Sequence, residues 1–154
     1  TILFVFSISY YVYVPHSNSP YISVSSYPVE ASTWIKENLD YKNIRLFNDY
    51  NYGSYLLFED IPVFIDSRCD LYTPEFNGVK GEDGKYDGQD IFSDYMNISS
   101  IATDYEKKFN EYDITHVITK SNSKLNMLIA KDDNYTELYS DDYFKIYERE
   151  TNNE

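Results

Sequence analysis

Two short apolar stretches lie close together in this chain, Asn43 to Asn48 (NIRLFN) and Pro62 to Asp66 (PVFID), with the helix-like segment Gly53 to Glu59 (GSYLLFE) between them. Apolar runs of this length suit buried strands. A strand, a short helix and a second strand in so little chain point to a parallel βαβ unit with its right-handed crossover. That unit carries the candidate site. If the strands are parallel neighbours, Asn48 and Asp49 leave the end of one, with Tyr50 next in the chain, while Asp66 and Arg68 leave the same end of the other. Open α/β folds place ligands at that carboxyl edge. The structural alternative is an Asp66–Arg68 ion pair tying loops together, with Asn48 and Asp49 making turn hydrogen bonds.

Other segments complete an α/β domain with a mostly parallel sheet, in two or three layers. Pro28 suits the first turn of a helix whose Ala31, Trp34, Ile35 and Leu39 share a buried face. Thr73 to Gln89 holds all but one of the glycines and reads as a long surface loop. Thr103 and Glu106 form a capping box for a helix presenting Tyr105, Phe109 and Tyr112 on one face. Ile114 to Thr119 (ITHVIT) is a strand, Leu125, Leu128 and Ile129 mark a short helix, and Thr136 to Tyr139 with Tyr143 to Glu148 form an antiparallel hairpin.

Before the domain, Thr1 to Val14 carries no charge and ends in Tyr10, Tyr11 and Tyr13. As a helix it rises about 21 Å, short of the roughly 30 Å hydrocarbon core. It reads as the last part of a transmembrane helix with an aromatic belt at its exit; the other readings are a signal peptide, for which a basic n-region and a small-x-small cleavage site are missing, and a buried first strand. Residues 15–27 are a Ser/Pro-rich linker, 28–149 the soluble α/β domain and 150–154 a disordered tail. No Lys/Arg cluster follows the apolar run and the domain is acidic, which places it on the extracytoplasmic side.

The full sequence of 154 residues carries a net charge of −13, with acidic residues spread along it, and this argues against nucleic-acid binding. Cys69 is the single cysteine and the two histidines, His16 and His116, are far apart, so neither a disulfide nor a His-based metal site is legible, and no cofactor is expected. Asp83, Asp87, Gly88 and Asp94 fall on EF-hand positions, but Lys85 takes a place that needs an oxygen ligand and Asp90 one that is usually aliphatic. His116 lies within a strand and lacks the partners of a triad. No catalytic residue is assigned.

The motifs YPVEASTWIKEN, RLFNDYNYGSYLLF, PVFIDSRCDLY, YEKKFNEYDITHVITK and YFKIYER follow one another in order. The chain from Tyr27 to Arg149 resembles the soluble C-terminal domain of bacterial polytopic membrane proteins of the GT-C glycosyltransferase type, the class with dolichyl-phosphate-mannose-like and oligosaccharyltransferase-like enzymes. Asn48, Asp49, Tyr50, Gly53, Tyr55, Leu56, Val63, Phe64, Ile65, Asp66 and Arg68 fall on its two central motifs. It is similar, more faintly, to the oligosaccharyltransferase catalytic subunit, with Asp49, Tyr50 and Gly53 on a Trp-Trp-Asp-Tyr-Gly motif in which Phe47 and Asn48 stand for the tryptophans. The resemblance implies an accessory extracytoplasmic domain of a glycosyltransferase using lipid-linked sugar, with Asn48, Asp49, Tyr50, Asp66 and Arg68 facing the membrane part, the lipid-linked sugar or an acceptor. It also implies that catalysis belongs to loops between transmembrane helices. A membrane-tethered binding or structural domain with no glycosyl link remains the alternative.

Overall fold

The computed structural model describes residues 4–5 and 21–150. Most of the expected membrane-helix end, the first part of the linker (15–20) and most of the tail lie outside them. Among the described residues no helix is long and apolar enough to cross a membrane.

Helix α1, Val29–Asn38, is followed by strand β1, Leu46–Phe47, and helix α2, Tyr50–Phe58. A 3-10 turn, Cys69–Tyr72, leads into the short helix α3, Pro74–Asn77, and then α4, Ile91–Ser100, and α5, Tyr105–Glu111. Strand β2, His116–Lys120, helix α6, Lys124–Ile129, and the hairpin β3, Tyr135–Ser140, with β4, Phe144–Arg149, complete the order.

The sheet runs β1-β2-β4-β3, parallel between β1 and β2 and antiparallel in the other two pairs. Side chains alternate across it, so consecutive residues feed opposite cores. Leu46, Ile118, Phe144 and Ile146 face α1 and α2, where Ala31, Ile35, Tyr52 and Leu56 are fully buried. Phe47, Val117 and Tyr147 face α4, α5 and α6, meeting Tyr95, Ile98, Phe109, Leu125 and Ile129. The domain is therefore a three-layer α/β sandwich. Tyr52 crosses into the sheet, its hydroxyl donating to the Ile118 carbonyl at 2.9 Å.

The hairpin, the α1 face and the β2 strand stand where the sequence pattern puts them. Pro62 to Asp66 does not: β1 takes β2 as its parallel neighbour, so the sheet has one parallel pair instead of being mostly parallel. Pro62 has no N–H to offer a ladder. The Asn48 carboxamide, moreover, takes up the main-chain groups of Phe64 and Ile65 that a neighbouring strand would pair. The cap of α5 also moves one residue along, with Asp104 accepting from the Lys107 N–H. Glu106 instead receives the Tyr135 hydroxyl and the Arg149 guanidinium, 2.8 Å at Nη2. Helix α4 is new relative to the sequence reading, although Asp90 caps it and Tyr95 and Ile98 line its buried face.

Candidate functional site

The chain leaves β1 at Asn48, which is completely buried between the strand end and the Phe64–Ile65 segment. Its Nδ2 donates to the carbonyls of Ile65 at 2.8 Å and Asp49 at 3.0 Å, and its Oδ1 accepts from the Phe64 N–H at 2.8 Å. The side chain works as a substitute peptide group. Asp49 caps α2, its Oδ1 accepting from the Asn51 backbone N–H at 2.8 Å and the Asn51 amide at 2.7 Å. Tyr50 packs edge-on to Phe92, centroids 5.9 Å apart, and its hydroxyl donates to the Ser67 carbonyl at 3.2 Å.

Helix α2 approaches the second segment closely at Gly53. A Cβ there would lie 1.9 Å from the Ile65 carbonyl oxygen, so only glycine fits. At the next residue, Ser54 Oγ lies 2.7 Å from Ser67 Oγ. These contacts fix the start of the loop that carries Asp66 and Arg68.

Asp66 is fully buried, yet its carboxylate is saturated. Oδ1 accepts from the Arg68 N–H at 2.8 Å and Nε at 2.9 Å, while Oδ2 accepts from Arg68 Nη2 at 2.5 Å and the Tyr72 hydroxyl at 2.9 Å. The hydrogen bonds from Arg68 outweigh burial and hold the Asp66 pKa down at about 2. Tyr72 is pushed up to about 12, by burial first and by its bond to Asp66 second. Arg68 keeps 58% of its side chain exposed, with Nη1 outside this fork. A buried acid thus aims an exposed cation. Tyr72 is a member of this group that the sequence reading left out, although it stands in the same FIDSRCDLY stretch and a single 3-10 turn returns it to Asp66.

A folded-state pKa below the ordinary carboxylate value means that the Asp66 contribution is complete above about pH 4 and is lost as pH falls toward 2. Because Arg68 is exposed, the contribution is discounted to about 1–2 kcal/mol. Urea unfolding from pH 5 to 2 is expected to show this loss in the wild type and a shallower dependence in Asp66→Asn.

The structure thus brings Asn48, Asp66 and Arg68 into one chain of bonds through Ile65, with Asp49 and Tyr50 at the start of α2 beside it. Asn48 and Asp66 are supports, and the exposed group at this edge is Arg68. The other sequence candidates have local roles. His116 is a buried strand residue whose Nδ1 lies 2.9 Å from Thr115 Oγ1, and burial lowers its pKa. Asp87 accepts from the Val79 N–H, and Asp94 takes Lys108 and Tyr112. Among the described residues no group of three or more His, Cys, Asp or Glu side chains is placed to hold a metal ion.

No protein-family model and no curated protein matches the chain. Among solved structures, the C-terminal globular domain of an oligosaccharyltransferase from Archaeoglobus fulgidus is similar, with a TM-score of 0.52 and 13% sequence identity over 79% of this chain and 95% of that one. At that identity the likeness is one of fold: this chain has the α/β architecture of an oligosaccharyltransferase C-terminal globular domain.

Proposed function

We propose that the chain is an accessory domain of a membrane glycosyltransferase that uses lipid-linked sugar, held on the extracytoplasmic side, with Arg68 as its anion-binding group. The observation that carries the reading is the presentation of Arg68 at an edge of a fold shared with an oligosaccharyltransferase domain over most of both chains. Asp66 fixes two donor positions of the guanidinium and leaves Nη1 to meet a phosphate oxygen or an acceptor carboxylate. Asp49 and Tyr50 flank the approach, and Asn48 holds the segment from which Arg68 projects. Such a domain positions a substrate. The transfer chemistry belongs to the membrane part of the same protein.

The inward hydrogen bonding of Asn48 and Asp66 favours a second reading, a tethered structural domain with no glycosyl link. Sugar transfer from a polyprenyl-phosphate carrier, measured in membranes containing the intact parent protein, separates the two. Arg68→Ala is expected to lower transfer at least about tenfold at equal protein level, the loss of one charge-assisted contact. Membranes without any transfer activity, or transfer indifferent to Arg68, would support the structural reading.

A further inference from the structure

Strand β1 is an edge strand, and its outer side is open where the chain enters it. Arg45 turns its main chain toward β2, its N–H donating to Thr115 Oγ1 at 3.0 Å and its carbonyl accepting from the N–H groups of Thr115 and His116 at 3.0 and 3.2 Å. Strand alternation then turns the N–H and C=O groups of Ile44 and Leu46 to the opposite side, away from the sheet. The Ile44 groups have no hydrogen-bond partner among the described residues. Facing them across a groove of about 530 Å³ is the extended segment Pro62 to Phe64, in which Val63 likewise makes no main-chain hydrogen bond.

The groove is closed at one end by the Asn48 carboxamide, which bonds to Phe64 and Ile65 where a further strand would pair. Toward Asn43 it stays open. Its walls are mixed: Ile44, Val63 and Phe64 are half-buried, Leu46 and Ile114 are buried, and Tyr112 stands beside them. Arg45 is exposed at the rim, and its guanidinium makes no hydrogen bond or ion pair among the described residues. Lys42, also on the rim, is paired with Asp60 at 2.5 Å. An uncommitted arginine beside open strand groups is a local exception on a chain of net charge −13.

We propose that the outer edge of β1 takes up an extended peptide segment, which adds to the sheet by main-chain hydrogen bonds to Ile44 and Leu46 and sets one carboxylate against Arg45. Strand addition supplies affinity through main-chain bonds, and specificity comes from the alternate side chains. The segment's apolar side chains lie against Val63 and Phe64. A single carboxylate matches Arg45, the unpaired cation among the described residues that line the groove, whereas a polyacidic segment is repelled by the rest of the surface. The length of open edge, Ile44 to Leu46, accommodates about three extended residues at roughly 3.3 Å each. This proposal stands apart from the glycosyl-transfer reading, since it uses neither Asp66 nor Arg68.

The test is titration of the isotope-labelled full chain with a blocked seven-residue peptide of alternating valine and threonine bearing one central glutamate. Saturable amide shifts are expected at Ile44, Leu46 and Val63. Arg45→Glu is expected to weaken binding at least about tenfold and to favour the matched peptide with a central lysine instead. Because Arg45 is exposed, the variant is expected to keep the wild-type unfolding midpoint. A peptide N-methylated at the residues facing β1 tests the main-chain bonds without altering the protein, and is expected to bind at least about tenfold more weakly. The proposal is overturned by the absence of saturable shifts at millimolar peptide, by shifts confined to β3, or by equal binding of the glutamate and lysine peptides. Shifts at Ile44 and Leu46 that grow with protein concentration alone would overturn it too, by assigning the edge to a second copy of the chain.

Discussion

Asn48→Ala is expected to lower the unfolding free energy by about 3–5 kcal/mol, because it leaves several buried main-chain groups without partners at once. The carboxamide is fully buried and serves the Phe64 N–H together with the carbonyls of Ile65 and Asp49. Asn48→Asp is expected to be nearly as damaging, since a carboxylate accepts but cannot donate to the Ile65 and Asp49 carbonyls. Urea unfolding at neutral pH measures both. A loss below about 1 kcal/mol would show that the Phe64–Ile65 segment holds its place without Asn48.

Gly53→Ala carries the second large effect, and its sign is the informative part. Helix propensity alone predicts a gain of roughly 1 kcal/mol for alanine inside α2. The structure predicts a loss of about 3 kcal/mol or more, because overpacking against main chain has little room to relax. The new Cβ meets the Ile65 oxygen at 1.9 Å, Asn48 Nδ2 at 2.8 Å and Asp66 Cα at 2.9 Å. Relief requires α2 to back away from the segment that Asn48 holds. The two substitutions share neighbours, so their effects in the double variant are expected to sum to less than the separate losses. The same unfolding measurement decides the sign.

Both substitutions strike the junction where sequence pattern and structure diverge. The run PVFID is indistinguishable from a buried strand by its composition, and its Ile65 is indeed fully buried. What pattern cannot encode is its partner, because pairing depends on which edge remains after β2 arrives from a distant part of the chain. A strand end followed by Asn, whose amide imitates a peptide group, is a local sign that a side chain takes the neighbour's place. The hairpin was legible for the opposite reason. Its pairing is local, and Asp141 sets the turn by accepting from the Tyr143 and Phe144 N–H groups at 2.7 Å.

The site was legible in its residue types and less so in its division of labour. Asp66 and Arg68 are close enough in sequence to pair, and they do. That the acid lies inside and the arginine outside follows from tertiary packing, with Tyr72 supplying the further hydrogen bond that makes burial of the carboxylate tolerable. Helix α4 shows a different kind of gap. In sequence, Asp90 counts only as a departure from the EF-hand pattern, whereas in the fold its carboxylate accepts from the Ser93 N–H at 3.0 Å and starts a helix.

The presentation of Arg68 is the centre of the functional account, and a binding titration tests it most directly. The full chain, in detergent, is titrated with a polyprenyl-phosphate sugar as wild type, Arg68→Ala and Arg68→Lys, with unfolding midpoints recorded alongside. The account predicts saturable binding by the wild type, weakened at least about tenfold in Arg68→Ala and partly restored by lysine, which keeps the charge but loses the fork held by Asp66. Equal affinity in the wild type and Arg68→Ala, or no saturable binding by the wild type at millimolar ligand, would contradict it.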